Sequence, residues 1–150
     1  MTEAARDAPP VEIRRFSGDE EMAQLLRLRH DVFCVEQGVP EREELDGRDN
    51  DGVHLVAIAD GEVLGTCRLL FVGPTVQFSR LAVRRDARRR GIASRLLELA
   101  DAETRAGGAR RLVLHAQTYA RALYESAGYE ARGRVFMESG IEHIAMEKLV

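Results

Sequence analysis

Residues 80–97, RLAVRRDARRRGIASRLL, change character twice in a short span. Leu81, Ala82 and Val83 close a run of strand composition, TVQFSRLAV (75–83). From Ile92 onward, Ile92, Ala93, Leu96, Leu97 and Ala100 form a helical apolar stripe, which Gly107 and Gly108 end. Between the two lies a loop dominated by arginine. The order strand, basic loop, helix brings loop N–H groups and a helix N-terminus to one point. The first N–H groups of a helix have no internal partner and the macrodipole adds partial positive charge, so that point attracts an anion. Gly91 lets the backbone approach a phosphate with no Cβ in the way, and Ala93 keeps the next turn shallow. Neither the three-glycine dinucleotide fingerprint nor a Gly-Lys-Ser/Thr loop is present. The pattern therefore points to a diphosphate held chiefly by backbone amides.

This basic stretch sits in an acidic chain. Seven arginines between Arg80 and Arg95 face the single Asp86, yet the formal net charge is -3. Lys148 is the only lysine. A nucleic-acid surface would add aromatics for base stacking, and the neighbourhood supplies only Phe78, so that reading ranks low. At 150 residues and 45% hydrophobic content, the chain suits one globular domain with one core. The first ten residues, MTEAARDAPP, are expected to be extended or disordered, with the domain spanning 11–150. No apolar run approaches the roughly 18–20 residues that span a bilayer. A soluble cytoplasmic protein is expected, with Cys34 and Cys67 as buried reduced thiols.

Outward from the opening stretch, VHLVAIA (53–59), an Asp60-Gly61 turn and EVLGTCRLLFV (62–72) read as a hairpin. Gly73-Pro74 turns the chain into strand 75–83, completing a three-stranded meander. RRLVLHA (110–116) is reached by a helical crossover and should run parallel to strand 75–83. A short helix over 118–128 and strands over 130–138 and 142–150 complete a mixed sheet. At the N-terminal end, VEIRRF (11–16) reads as a strand and residues 17–33 as a helix, with Ser17 and Glu20 as a capping box. Arg29 falls on the apolar face of that helix, either inward-facing and functional or snorkelling to water. Residues 36–52, EQGVPEREELDGRDNDG, read as a long acidic loop, a solvated segment or one wall of a site for a cationic substrate. A calcium loop fits poorly, since Arg48 takes the third ligand position from Asp46.

RLAVRRDARRRGIASRLL resembles motif A of the GCN-five-related N-acetyltransferase (GNAT) superfamily, with Arg88, Gly91 and Ala93 on its signature positions. QTYARALYESAGYE (117–130) resembles motif B through Gln117, Ala120, Tyr124, Gly128 and Tyr129, with Gln117 where Asn is usual. The segments around Cys34, His54, LHAQ (114–117) and GIEHIAME (140–147) are similar to the ElaA/YjcF-type branch. The resemblance implies an α/β (α+β) fold: a mixed sheet of six to seven strands with a splayed parallel pair, and about four helices. It implies acetyl-CoA as cosubstrate without a metal, the amine of a small molecule (or peptide) as acceptor, and a homodimer as a common assembly.

By the same resemblance, coenzyme A would lay its pyrophosphate on Arg88, Arg89, Arg90, Gly91, Ile92, Ala93 and Ser94. Its pantetheine arm would run beside Leu81, Ala82 and Val83 toward Gln117. A backbone N–H near Ala82 or Val83 would polarise the thioester, and Tyr124 would protonate the leaving sulfur. Many members carry a base on the strand before motif A, but Gln77, Ser79 and Arg80 occupy it here. Glu36 is the first candidate base. His54, His115 and His143 compete, as does water-mediated deprotonation. Arg29, Glu36, His54 and His143 are the candidate acceptor contacts. An acyl-homoserine-lactone-synthase-like acyltransferase and a CoA-binding domain without catalysis stay open as alternatives.

Overall fold

The computed structural model describes residues 9–150; the extended segment expected over 1–10 falls, but for Pro9 and Pro10, outside the described residues. Strand β1 (Glu12–Arg15) leads into helix α1 (Gly18–Arg29), a π-helical turn (His30–Glu36) and the short helix α2 (Glu41–Glu44). A 3-10 turn (Asp49–Asp51) precedes the meander β2 (Val53–Ala59), β3 (Glu62–Val72) and β4 (Thr75–Val83). Helix α3 (Ile92–Ala106), β5 (Arg111–Gln117), α4 (Arg121–Ser126), β6 (Glu130–Glu138) and β7 (Ile141–Leu149) follow. Among the described residues seven strands form one sheet ordered β1-β2-β3-β4-β5-β7-β6, in which only β4 and β5 pair in parallel. Among the described residues no helix is long and apolar enough to cross a membrane.

The α1 N-terminus departs from the capping box. Ser17 is extended and makes no side-chain cap; its N–H instead donates to Glu21 at 2.8 Å. Glu21 wins over Glu20 because Arg14 grips its carboxylate with two hydrogen bonds of 2.7 and 2.8 Å, fixing it against β1.

Strand alternation sorts the side chains onto two faces of the sheet. Leu55, Ala57, Leu69, Leu112, Leu114, Ile144 and Met146 pack with Leu96, Leu97 and Ala100 of α3 and with Tyr124 and Tyr129. On the opposite face, Val56, Ile58, Val63 and Ala82 pack under Leu25, Leu28 and Val32 of α1 and its π-helical extension. Gly65 allows α3 to lie close to the sheet, since a Cβ there would meet Ile92 Cγ2 at 2.8 Å and Leu96 Cδ1 at 3.3 Å. Cys67 is buried and Cys34 half-buried, both as free thiols. The cover formed by α1 stops short of β5, β7 and β6. Their α1-side face, carrying Arg111, His115, Gln117, His143 and Glu147, becomes the wall of a cleft.

Candidate active site

The cleft, about 1330 Å³, begins where the sheet comes apart. Strands β4 and β5 pair only from Thr75–Arg111 to Gln77–Val113, and the rest of the two strands diverges. On its other side β4 is bulged: Thr66 faces Ala82 while Arg68 faces Ser79, so β4 carries an extra residue there. Arg80 absorbs it with φ 61°, a left-handed conformation costly for a non-glycine residue. Hydrogen bonds from Arg80 to the Glu44 carbonyl oxygen, at 2.9 and 3.2 Å, hold that conformation. Leu81, Ala82 and Val83 thus line the gap beyond the last parallel pairing.

At the gap's end the chain turns into α3 through Arg89 (φ 63°) and Gly91 (φ 75°), both left-handed. Gly91 caps α3 without any side-chain hydrogen bond, and the first turn of α3 has no acidic residue. Helix α1 carries Asp19, Glu20 and Glu21 in the same position. The N-terminus of α3 is therefore left electrostatically open to an anion. Arg88, Arg89, Gly91, Ile92, Ala93 and Ser94 line the cleft, whereas Arg90 does not. Arg84 is paired with Glu62 and Asp86, and Arg95 donates to the Val11 carbonyl.

Tyr124 projects from α4 into the gap, edge-on to Phe78 and Tyr129 at centroid distances of 6.3 and 5.8 Å. Burial pushes its phenol pKa above the ordinary value, so the hydroxyl keeps its proton. Gln117, at the end of β5, donates to Gln37 Oε1 at 2.8 Å, and Gln37 reaches Tyr119 at 3.3 Å. These amides bridge β5 and the end of the π-helical turn.

Glu36 lines the cleft, but its two oxygens accept hydrogen bonds of 2.8 and 3.0 Å from Arg88. That guanidinium holds the Glu36 carboxyl below the usual range, which opposes a role as proton acceptor. Arg29 and His54 do not line the cleft. Arg29 is 1% exposed and reaches neither water nor the cleft: it is paired with Glu44 and, at 2.7 Å, with Asp49. His54 is equally buried, its Nε2 2.8 Å from the Asp49 carbonyl, and burial lowers its pKa.

The acidic loop does wall the cleft, through Glu43, Glu44 and Asp46, but arginines engage the carboxylates of Glu44 and Asp46. Asp46 meets Arg68 at 2.7 Å and Arg80 at 3.3 Å, while Asp49 binds Arg29 and Arg68. Asp46 and Asp49 therefore fasten the loop to β3, β4 and α1. Arg68 hydrogen bonds hold Asp46 far below the usual carboxylate range. Burial works most strongly on Asp49 and against its charge, but the hydrogen bonds and charges of Arg29 and Arg68 together outweigh it and its pKa is also lowered.

His143 does line the cleft, with His115 and a residue the sequence reading missed, Glu138. Glu138 Oε1 lies 3.1 Å from His115 Nδ1, and Oε2 lies 3.6 Å from His143 Nε2. The signal was available in the Ser139-Gly140 turn, which sets the register Glu138–Ile141 and Phe136–His143 and so aligns these side chains on one face.

The splayed β4–β5 pair, the bulge in β4 and the uncapped helix N-terminus at the end of the gap are the features through which the chain resembles known acetyltransferases. The chain belongs to the GNAT acetyltransferases, matching the acetyltransferase (GNAT) domain over residues 17–150. It is 40% identical over 130 residues to the UPF0039 protein Rv2851c of Mycobacterium tuberculosis, covering 82% of this chain and 81% of that protein. An acyl-CoA N-acyltransferase from Pseudomonas aeruginosa superposes with a TM-score of 0.80 at 33% identity, over 93% of this chain and 99% of that one. Escherichia coli ElaA shares the fold with a TM-score of 0.83 at 24% identity, over 93% and 99% of the respective chains.

Proposed function

We propose that residues 11–150 form one acyltransferase domain that moves the acetyl group of acetyl-CoA to the amine of a small molecule by direct attack. The observation that carries this reading is the parting of β4 from β5 after Gln77 and Val113, beside a helix start with neither cap nor acidic residue. A pyrophosphate fits the N–H groups of residues 89–94, with Arg85, Arg88 and Arg89 adding charge from the cleft lining. The pantetheine arm fills the gap as an added strand against Leu81–Val83, and Gln117 exchanges its bond to Gln37 for one to the arm's amides.

In the reaction, an N–H at the bulge next to Ala82 stabilises the thioester oxyanion. Tyr124 gives its proton to the departing sulfur. Its raised pKa is matched by the sulfur, because the same dry surroundings also disfavour a thiolate. Glu36 serves as the counter-charge of Arg88 at the cofactor mouth. The test is calorimetric titration with acetyl-CoA, followed by thiol release over a panel of monoamines, polyamines and amino acids. Binding together with amine-dependent release supports the reading; absence of binding rejects it.

A further inference from the structure

On the open face of β5, β7 and β6, cross-strand register aligns Gln117, His143 and Phe136 in one row. Glu138 and Ile141 form the adjoining row, and His115 lies two residues along β5 from Gln117. The Nδ1 of His143 lies 2.7 Å from the Ile141 carbonyl oxygen. A carbonyl only accepts, so Nδ1 carries the proton and the Nε2 of the neutral ring presents a lone pair. Phe136 stacks on that ring at 5.9 Å and 24°, fixing its plane, and the His143 side chain is only 9% exposed.

In the neutral ring Nε2 is an acceptor, and it lies 3.6 Å from Glu138 Oε2, a distance too long for a hydrogen bond. Two acceptors facing each other lack a donor between them. The nearby arginines offer none, since Arg111 and Arg132 are engaged by Glu147, Arg132 also by Glu130. The other Glu138 oxygen is already met by His115. A compact cation with several N–H donors would complete the pair.

We infer that His143 and Glu138 form the acceptor site: an alkylammonium ion docks between Nε2 and the carboxylate, and His143 Nε2 takes the proton that frees its lone pair. This rests on the acyl-transfer reading above. The amine nitrogen then forms the C–N bond as the C–S bond breaks, its electron pair leaving on sulfur. The sulfur takes the Tyr124 proton, Tyr124 regains one from the former ammonium nitrogen, and the proton on His143 passes to water beside the half-exposed Glu138 and His115. The balance is one amide, one thiol and one released proton per turnover.

The test uses wild type, His143→Gln and Glu138→Gln, with n-butylamine and hydroxylamine as nucleophiles; hydroxylamine is already neutral near neutral pH and needs no base. For His143→Gln, kcat/KM with butylamine should fall about 100-fold while that with hydroxylamine falls less than about threefold. Glu138→Gln should raise the butylamine KM with kcat nearly unchanged. In histidine-labelled wild type, butylamine should shift the His143 ring resonances, and in Glu138→Gln it should not. Equal losses for both nucleophiles, or His143 resonances unmoved by butylamine in wild type, would overturn the inference. Thermal stabilisation by acetyl-CoA, measured on the same proteins, reports the cofactor reading separately: if it is absent that reading fails, and the butylamine titration still decides this one.

Discussion

Arg88 grips both oxygens of Glu36 across the mouth of the cleft, joining the loop before α3 to the end of the π-helical turn 52 residues earlier. Arg88 also donates to the Val83 carbonyl at 3.0 Å, so one guanidinium ties strand, loop and helix together. A carboxylate held in this way is a counter-ion. Glu36→Gln should therefore slow turnover by less than about tenfold, far from the loss expected on removing a general base. Freed of its partner, Arg88 should bind acetyl-CoA a few-fold more tightly, as suits a partly exposed ion pair of about 0.2–1 kcal/mol. Steady-state kinetics with calorimetry check both statements.

Tyr124→Phe removes the proposed proton donor and leaves the packing against Phe78 and Tyr129 in place. The kcat for thiol release should fall about 100-fold with acetyl-CoA affinity unchanged. Unaltered turnover would reject the acid role.

The close approach of α3 to the sheet predicts a structural effect. Gly65→Val drives side-chain atoms into Ile92 and Leu96, and overpacking of this kind costs about 1–3 kcal/mol. Because Ile92 begins α3, the same variant should weaken acetyl-CoA binding. Urea unfolding and calorimetry on one preparation read the two effects together.

The ion cluster predicts a pH effect of definite sign. Asp46 and Asp49 have folded pKa values below their unfolded ones, so the stability they contribute is complete above the unfolded carboxylate range. It is lost as pH falls from about 4 toward the folded values. Arg29→Met leaves Glu44 and Asp49 short of a partner and should cost about 3–5 kcal/mol at neutral pH, read by urea unfolding. Thermal melts between neutral and acid pH should show less acid sensitivity in this variant than in wild type.

The sheet was legible because its signals are local. Asp60-Gly61 and Gly73-Pro74 punctuate strands whose composition does not compete with helix, and Gly107-Gly108 ends α3 at the expected point. The cluster of Arg29, Arg68 and Arg80 with Glu44, Asp46 and Asp49 was not legible. Its partners lie on α1, α2, β3, β4 and the intervening loop, and nothing in the loop's composition reveals which of its acids turn inward. The Ser17–Glu20 capping box does not form because β1 brings Arg14 to Glu21, which takes the Ser17 N–H instead. Glu36 looked like a base for a related reason: a sequence does not show which arginine will reach a carboxylate. Glu138 escaped notice because its significance lies in the β6–β7 register, which places it between two imidazoles.

The account turns on acetyl transfer from a thioester bound in the gap between β4 and β5. The most direct measurement is mass spectrometry of reactions containing the protein, acetyl-CoA and the amine panel, with free CoA measured in parallel. The account predicts an amine heavier by one acetyl group, formed in equal amount with CoA and abolished by heat-denaturing the protein. Acetyl-CoA left intact, or CoA released without any acetylated amine across the whole panel, would contradict it.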